Sequence, residues 1–289
     1  MDKYKIKSLK DFNVTFGHSP DADDAFMFYG LAKNKIPTTF KVNHLMDDIE
    51  SLNKRATSGK LEVTAISAAH YPKVSNNYQI MSCGSSVGRN YGPLLVSEKK
   101  INEKKLSGLK IAIPGKFTTS YLLFQIFINQ NIEPVFMHFD EVINSIKSGS
   151  TDAGILLHEG QVTFQEYGLN KILDLGERWF EKTSLPIPLG LDLVHKKFSP
   201  EHRKEITTAF YKSIKYAIEN EDKALDYALS FGRGIEKNKG RKFVRMYVNN
   251  DTLNMGQEGL NALNKLFQFA KESEIIDKQP NIELCVPDN

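Results

Sequence analysis

Cysteine is scarce, with two residues in 289, which excludes a disulfide-rich scaffold. Cys83 and Cys285 share no metal-ligand spacing. A reducing compartment fits them, and a single long-range disulfide between them stays open. No apolar run approaches a membrane-spanning length, so no membrane partner is expected. Met1–Lys7 leads into no apolar core of signal-peptide length, and the expected location is the cytoplasm. Charge of one sign is not in excess, because 38 basic and 35 acidic residues leave a net +3. That balance argues against nucleic acid as a partner. The short runs Lys99-Lys100, Lys104-Lys105 and Lys196-Lys197 read as solvated surface. Internal repeats, low-complexity tracts and disordered linkers are also missing.

What is present is alternation. Apolar residues make up 40% and charged residues 25%, as in an ordinary globular chain. Strand-like and helix-like segments alternate, which points to an α/β fold with a largely parallel sheet. Expected strands include Phe12–Gly17, Leu61–Ser67, Gln79–Ser82, Pro93–Ser97, Leu109–Ile113, Val135–His138 and the run ending at His158. Expected helices include one opening at Ser19-Pro20, with Ser19 as N-cap, and others over Met46–Ser58 and Tyr121–Asn129. Ser199-Pro200-Glu201 starts a further helix, and the chain beyond it is mostly helical. The length suits two lobes. The expected division is residues 1–96 plus 194–289 for lobe one and 97–193 for an inserted lobe two. Crossings fall near Val96 and Leu193, and a cleft between such lobes favours a ligand.

Four strand-then-turn elements carry the chemistry. Thr151–Gly160 is an apolar run that delivers His158 to a strand tip, where open α/β sheets place ligands. Histidine moves protons near neutral pH. Alone, a histidine at an apolar strand end is more often structural, and the cleft tips the balance towards a base. Gly17–Asp24 presents Ser19 and three acids at a helix start. Asp21 and Asp23 read as helix-capping groups, and Asp24 lies further in. Ile66-Ser67-Ala68-Ala69 is a small-residue turn whose serine can donate to an anion, or simply a tight turn. Pro114–Ser120 combines a glycine turn, Lys116 and the pair Thr118-Thr119 at a helix start. It reads as a carboxylate or phosphate cradle, with the threonines ahead of the lysine. Neither a Walker motif nor a dinucleotide glycine fingerprint is read. The histidines show no metal-ligand spacing and the three acids no calcium loop, so no metal is expected. A Ser-His-acid triad is disfavoured for want of a G-x-S-x-G nucleophile elbow.

These residues resemble a known family, the 1,4-dihydroxy-6-naphthoate synthases of the futalosine route to menaquinone. The marks are Ser19-Pro20 with Asp24 and Phe26, then Asp48–Asn53, Ser67 with Tyr71, and Gly88-Arg89 with Gly92-Pro93-Leu94. Pro114-Gly115 with Thr118-Thr119, Gly154–Glu159, Leu185–Gly190 and Tyr247-Val248-Asn249 follow in order. The resemblance implies a two-lobed periplasmic-binding-protein-like fold of the second type, used as an enzyme without metal or organic cofactor. It implies a lyase that converts cyclic dehypoxanthinylfutalosine to 1,4-dihydroxy-6-naphthoate. The family's proposed base falls on His158, its paired threonines on Thr118 and Thr119, and its small-turn serine on Ser67. The family's Ser-Pro-Cys-Pro-Asn-Asp loop is here Ser19-Pro20-Asp21-Ala22-Asp23-Asp24; of the acids only the last lines up, so Asp24 is the safer carry-over beside Ser19. The partner expected is a small-molecule carboxylate, and a homodimer is compatible with the chain. A non-catalytic solute-binding protein for a small carboxylate or aromatic anion, or a chorismate dehydratase, would use the same fold.

Overall fold

A computed structural model describes residues 8–10, 12–128, 130–231 and 235–288. Met1–Lys7, on which the leader reading rests, and Asn129, the expected end of a helix, lie outside the described residues. The chain begins with β1 (Asn13–His18), β2 (Lys41–Met46), β3 (Val63–Ser67), β4 (Tyr78–Met81) and β5 (Ser86–Gly88). It then builds a second sheet from β6 (Leu94–Ser97), β7 (Lys110–Ile113), β8 (Glu133–Phe136), β9 (Ala153–Leu156) and β10 (Asn170–Asp174). It returns to the first sheet with β11 (Ile187–His195) and β12 (Leu284–Cys285). The first sheet runs β12-β4-β11-β3-β1-β2, with β5 pairing β11, and the second runs β10-β6-β9-β7-β8.

Both sheets are mixed, which corrects the expectation of largely parallel ones. β1 is parallel to β2 and β3, and β7 is parallel to β8 and β9. β6 runs antiparallel to β9, and β11 runs antiparallel to both β3 and β4. These are the strands by which the chain enters one sheet on leaving the other, so they run against their neighbours. Strand membership also locates the changeovers. Val96 lies inside β6 of the second sheet and Leu193 inside β11 of the first, so the chain passes over before Leu94 and again before Ile187.

The first helix is Ala22–Ala32, buried along nearly its whole length against helices Pro200–Glu219 and Glu221–Leu229. An aromatic stack holds it there, with Phe28 on Phe210 at 4.5 Å and His18 on Phe28 at 4.2 Å between ring centroids. Its N-cap is Asp21 rather than Ser19, because Pro20 sits in a turn that the serine closes on itself. The second helix is Ile49–Thr57, capped by Asp48, whose carboxylate accepts from the N–H groups of Glu50 and Ser51. Met46, expected in that helix, closes the edge strand β2 instead. Ser199 caps the long helix Pro200–Glu219 as expected. A single buried apolar cluster takes Ile66, Ile80 and Leu191 from the first sheet and Ile111, Ile113 and Ile155 from the second. It ties the sheets together below the crevice. Among the described residues no helix is long and apolar enough to cross a membrane. Both cysteines are free and buried.

Candidate functional site

The C-terminal ends of β1, β3 and β9 meet at one cavity between the sheets, with about 670 Å³ of non-atom space, part of it open to solvent. Strand ends that converge between two sheets are where such folds hold a small molecule. Ser19, Asp24, Ser67, Thr118, Thr119 and His158 all line it. Lys116 does not; its side chain is exposed.

β1 ends at His18, and the next residues form a compact hydrogen-bonded knot. The Ser19 N–H donates to Asp24 Oδ2 at 2.9 Å, and Ser19 Oγ donates to Asp21 Oδ2 at 2.7 Å. The acids therefore satisfy the serine rather than the helix, and Asp21 makes no side-chain cap bond. This corrects the reading of Asp21 and Asp23 as capping groups. Asp23 lines the cavity, where Ser86 Oγ donates to its Oδ2 at 3.3 Å.

At the tip of β3, Ser67 is gripped by the buried Asn53. Its N–H donates to Asn53 Oδ1 at 2.9 Å, and its Oγ accepts from Asn53 Nδ2 at 3.1 Å. The loop beyond β7 is a carboxylate cradle, but its occupant is the chain's own Glu50. The N–H groups of Lys116 and Phe117 donate to the Glu50 carboxylate at 3.2 and 3.0 Å. Gly115, at φ +147°, lets that carboxylate approach; a Cβ there would stand 2.8 Å from Glu50 Oε2. The threonine hydroxyls are engaged as well. Thr118 Oγ1 caps helix Thr119–Phe127 by accepting from the Tyr121 N–H. Thr119 Oγ1 donates to Leu189 O at 2.7 Å and accepts from the Ala69 N–H. What this element can turn to the cavity is therefore the helix start itself, where the N–H groups of Thr119 and Ser120, unlike the capped one of Tyr121, have no partner within the helix.

His158 lies just beyond β9 at φ +52°, a left-handed turn that carries the ring out of the strand line. Phe139 packs edge-on against it, 4.8 Å between centroids. Nε2 stands 3.4 Å from Asp21 Oδ2, and Asp21 is almost fully buried. Glu159 faces the other sheet's helix, accepting from the Ala22 N–H at 3.4 Å. Tyr247 Oη donates to Gln161 Oε1 at 2.7 Å across the same crevice.

Residue-by-residue reading of the sequence misses several lining groups, among them Ser86, Asp192, Gln161 and Tyr247. Asp192 had a signal: it is a carboxylate inside the apolar run Leu189–Val194, where a charge is rare unless partnered. Burial holds Asp23, Asp24 and Asp192 above the ordinary carboxylate range, and the acids raise one another further. The spacing G-x-S-x-G does occur, at Gly84-Ser85-Ser86-Val87-Gly88, contrary to the reading above. It is not a nucleophile elbow, since Ser86 opens strand β5 and no helix follows it. Among the described residues no group of three or more His, Cys, Asp or Glu is placed to hold a metal ion.

Comparison with known proteins gives the chain its family. The family model described as menaquinone biosynthesis matches residues 14–272. A 1,4-dihydroxy-6-naphthoate synthase from Thermus thermophilus is 32% identical over 267 residues, covering 92% of this chain and 97% of that protein. A crystal structure of an Archaeoglobus fulgidus protein superposes with a TM-score of 0.88 at 42% identity, covering 91% of this chain and 98% of that one. The ligand-binding component of an import system from Staphylococcus aureus superposes with a TM-score of 0.71 at 11% identity, covering 95% and 97%. That likeness shows the fold alone, and the fold is periplasmic-binding-protein-like.

Proposed function

The chain belongs to this menaquinone-biosynthesis family, and from that premise we propose that it is a carbon–carbon lyase converting cyclic dehypoxanthinylfutalosine to 1,4-dihydroxy-6-naphthoate. The observation that carries the reading is His158, held in the cavity beside a buried carboxylate and on the same sheet as the helix start at Thr119.

The substrate's carboxylate sits at the start of helix Thr119–Phe127, where the first-turn N–H groups and the helix dipole favour an anion. His158 removes a proton from the substrate. Asp21 Oδ2, 3.4 Å from Nε2, stabilises the imidazolium so formed, and burial of the acid strengthens the attraction. Collapse of the resulting anion or alkoxide breaks the ring bond, releases the sugar-derived fragment and leaves the aromatic naphthoate. Aromatisation drives the step, so the protein supplies a base, anion stabilisation and exclusion of water.

His158→Asn tests this. Asparagine tolerates a left-handed backbone, so the φ of +52° is kept. Turnover should fall about 10²–10⁴-fold, the usual worth of a positioned base, with melting temperature and ligand binding retained. Unchanged turnover removes His158 from the chemistry. Wild-type protein that yields no naphthoate from the cyclic futalosine derivative refutes the activity. Loss of water from chorismate, or binding of a carboxylate without turnover, would assign one of the two other uses of the fold.

A further inference from the structure

We infer that Asp192, with Asp23 beside it, recognises hydroxyl groups at the first-sheet end of the cavity, so that the ligand is a carboxylic acid bearing hydroxyls remote from its carboxylate. The inference rests on the reading of this cavity as the active site.

Asp192 lies in β11 opposite Ala65 of β3, two residues deeper than the pair Gly190 and Ser67 at the strand tip. It is 1% exposed and set between Leu191 and Leu193, yet it lines the cavity. Its Oδ2 packs on Gly84, where an added Cβ would stand 2.4 Å from it. Its Oδ1 has no hydrogen-bond partner among the described residues. A buried carboxyl oxygen left without a partner is costly, and such groups are rare in folded proteins. Here the cavity is the space from which a partner can come.

The neighbours narrow what that partner is. Asp23 and Asp24 stand close enough to raise the proton affinity of Asp192, as its own burial does first. A neutral carboxylic acid both donates and accepts, and so does a hydroxyl. A second carboxylate from the ligand would be repelled wherever one of the three acids is ionised. The anion therefore belongs at the opposite wall, at the helix start Thr119–Phe127 of the second sheet. The cavity thus has an anion end built from one sheet and an acidic, hydroxyl-binding end built from the other. A ligand that spans it carries its carboxylate at one end and hydroxyls at the other.

Full-length protein, D192N and D192L are compared by calorimetry with two probes of the same ring size. Quinate carries ring hydroxyls and a carboxylate; cyclohexanecarboxylate carries the carboxylate only. Wild type should bind quinate at least about tenfold more tightly, since a site built for hydroxyls leaves its own groups unpaired without them. D192N, which still donates and accepts, should stay within about threefold. D192L should lose about 10–100-fold for quinate while keeping its affinity for cyclohexanecarboxylate. With the cyclic futalosine derivative, D192L should raise KM far more than it lowers kcat, and D192N should restore KM. If D192L does not fold, D192A gives the same readout. Equal binding of the two probes by wild type overturns the inference. So does a quinate preference that survives in D192L, or tighter binding of 4-aminocyclohexanecarboxylate than of quinate. A wild type that prefers quinate but converts no substrate would refute the lyase and leave this inference standing.

Discussion

Gly84 supports the wall of the cavity, and replacing it with alanine separates two energies that most substitutions mix. Its φ is +90°, and a Cβ would stand 2.4 Å from Asp192 Oδ2 and 2.5 Å from Phe210 Cε1. Both neighbours are buried, Phe210 completely, and neither is the loose end of a surface chain. Backbone strain from a positive φ costs about 1–2 kcal/mol in an L residue. Overpacking costs about 1–3 kcal/mol more, because atoms almost 1 Å too close must move within a close-packed interior. Lower entropy of the unfolded chain offsets about 0.4–1 kcal/mol, leaving a net loss of about 1–5 kcal/mol. Gly108 is the control. Its φ is +78°, with nothing within 4 Å of the would-be Cβ, so Gly108→Ala carries the backbone effect alone. It should cost about 1 kcal/mol or less. Urea unfolding followed by circular dichroism gives both values. If the two alanines destabilise equally, Asp192 and Phe210 are not packed on Gly84, and the wall described here is wrong.

Burial lowers His18 to about 3 from the usual 6.5, with His44 adding to the effect. A folded value below the unfolded one supports the fold fully above pH 6.5, and that support is lost as pH falls towards 3. The buried acids act with opposite sign, their support fading as pH rises, so the comparison is made variant against wild type at each pH. His18→Phe keeps the stack on Phe28 and should flatten the acid fall in melting temperature; an identical fall in the variant would remove His18 as its cause. Lys116 gives only its backbone N–H to Glu50, so Lys116→Ala should leave kcat and KM within about twofold, and a tenfold rise in KM would place its side chain on the ligand.

Residues at strand tips were readable because a single rule covers them. An apolar run followed by a small or polar turn marks the carboxyl end of a buried strand, and such ends converge on the crevice. Ser19, Ser67, Thr118 and His158 all obey it. What the rule leaves open is how each side chain spends its hydrogen bonds. Thr118 and Thr119 carry hydroxyls that look free in sequence, yet the helix cap and the Leu189 carbonyl take them. The cradle after β7 was legible as a carboxylate site, but Glu50 comes from a helix 66 residues before Lys116, and only the packing of the lobes brings it there. Edge strands were hardest. β2 reads Lys41-Val42-Asn43-His44-Leu45-Met46, with little alternation, and β5 and β12 are too short for any period to show.

The contacts around His158 connect chemistry to closure. The imidazole belongs to the second sheet, and the carboxylate 3.4 Å from it belongs to the first. The next residue, Glu159, accepts from Ala22, and Gln161 accepts from Tyr247, both again on the first-sheet side. One short segment therefore carries His158 and also meets the opposing lobe. The left-handed turn at His158 is what permits both, because an extended residue there would carry the ring along the line of β9. Opening the crevice would separate the imidazole from Asp21 and admit water in the same motion, so the two groups stay paired only while the lobes are together. A protein that only binds needs closure to hold its ligand. In the lyase proposed above, closure would also hold His158 beside Asp21.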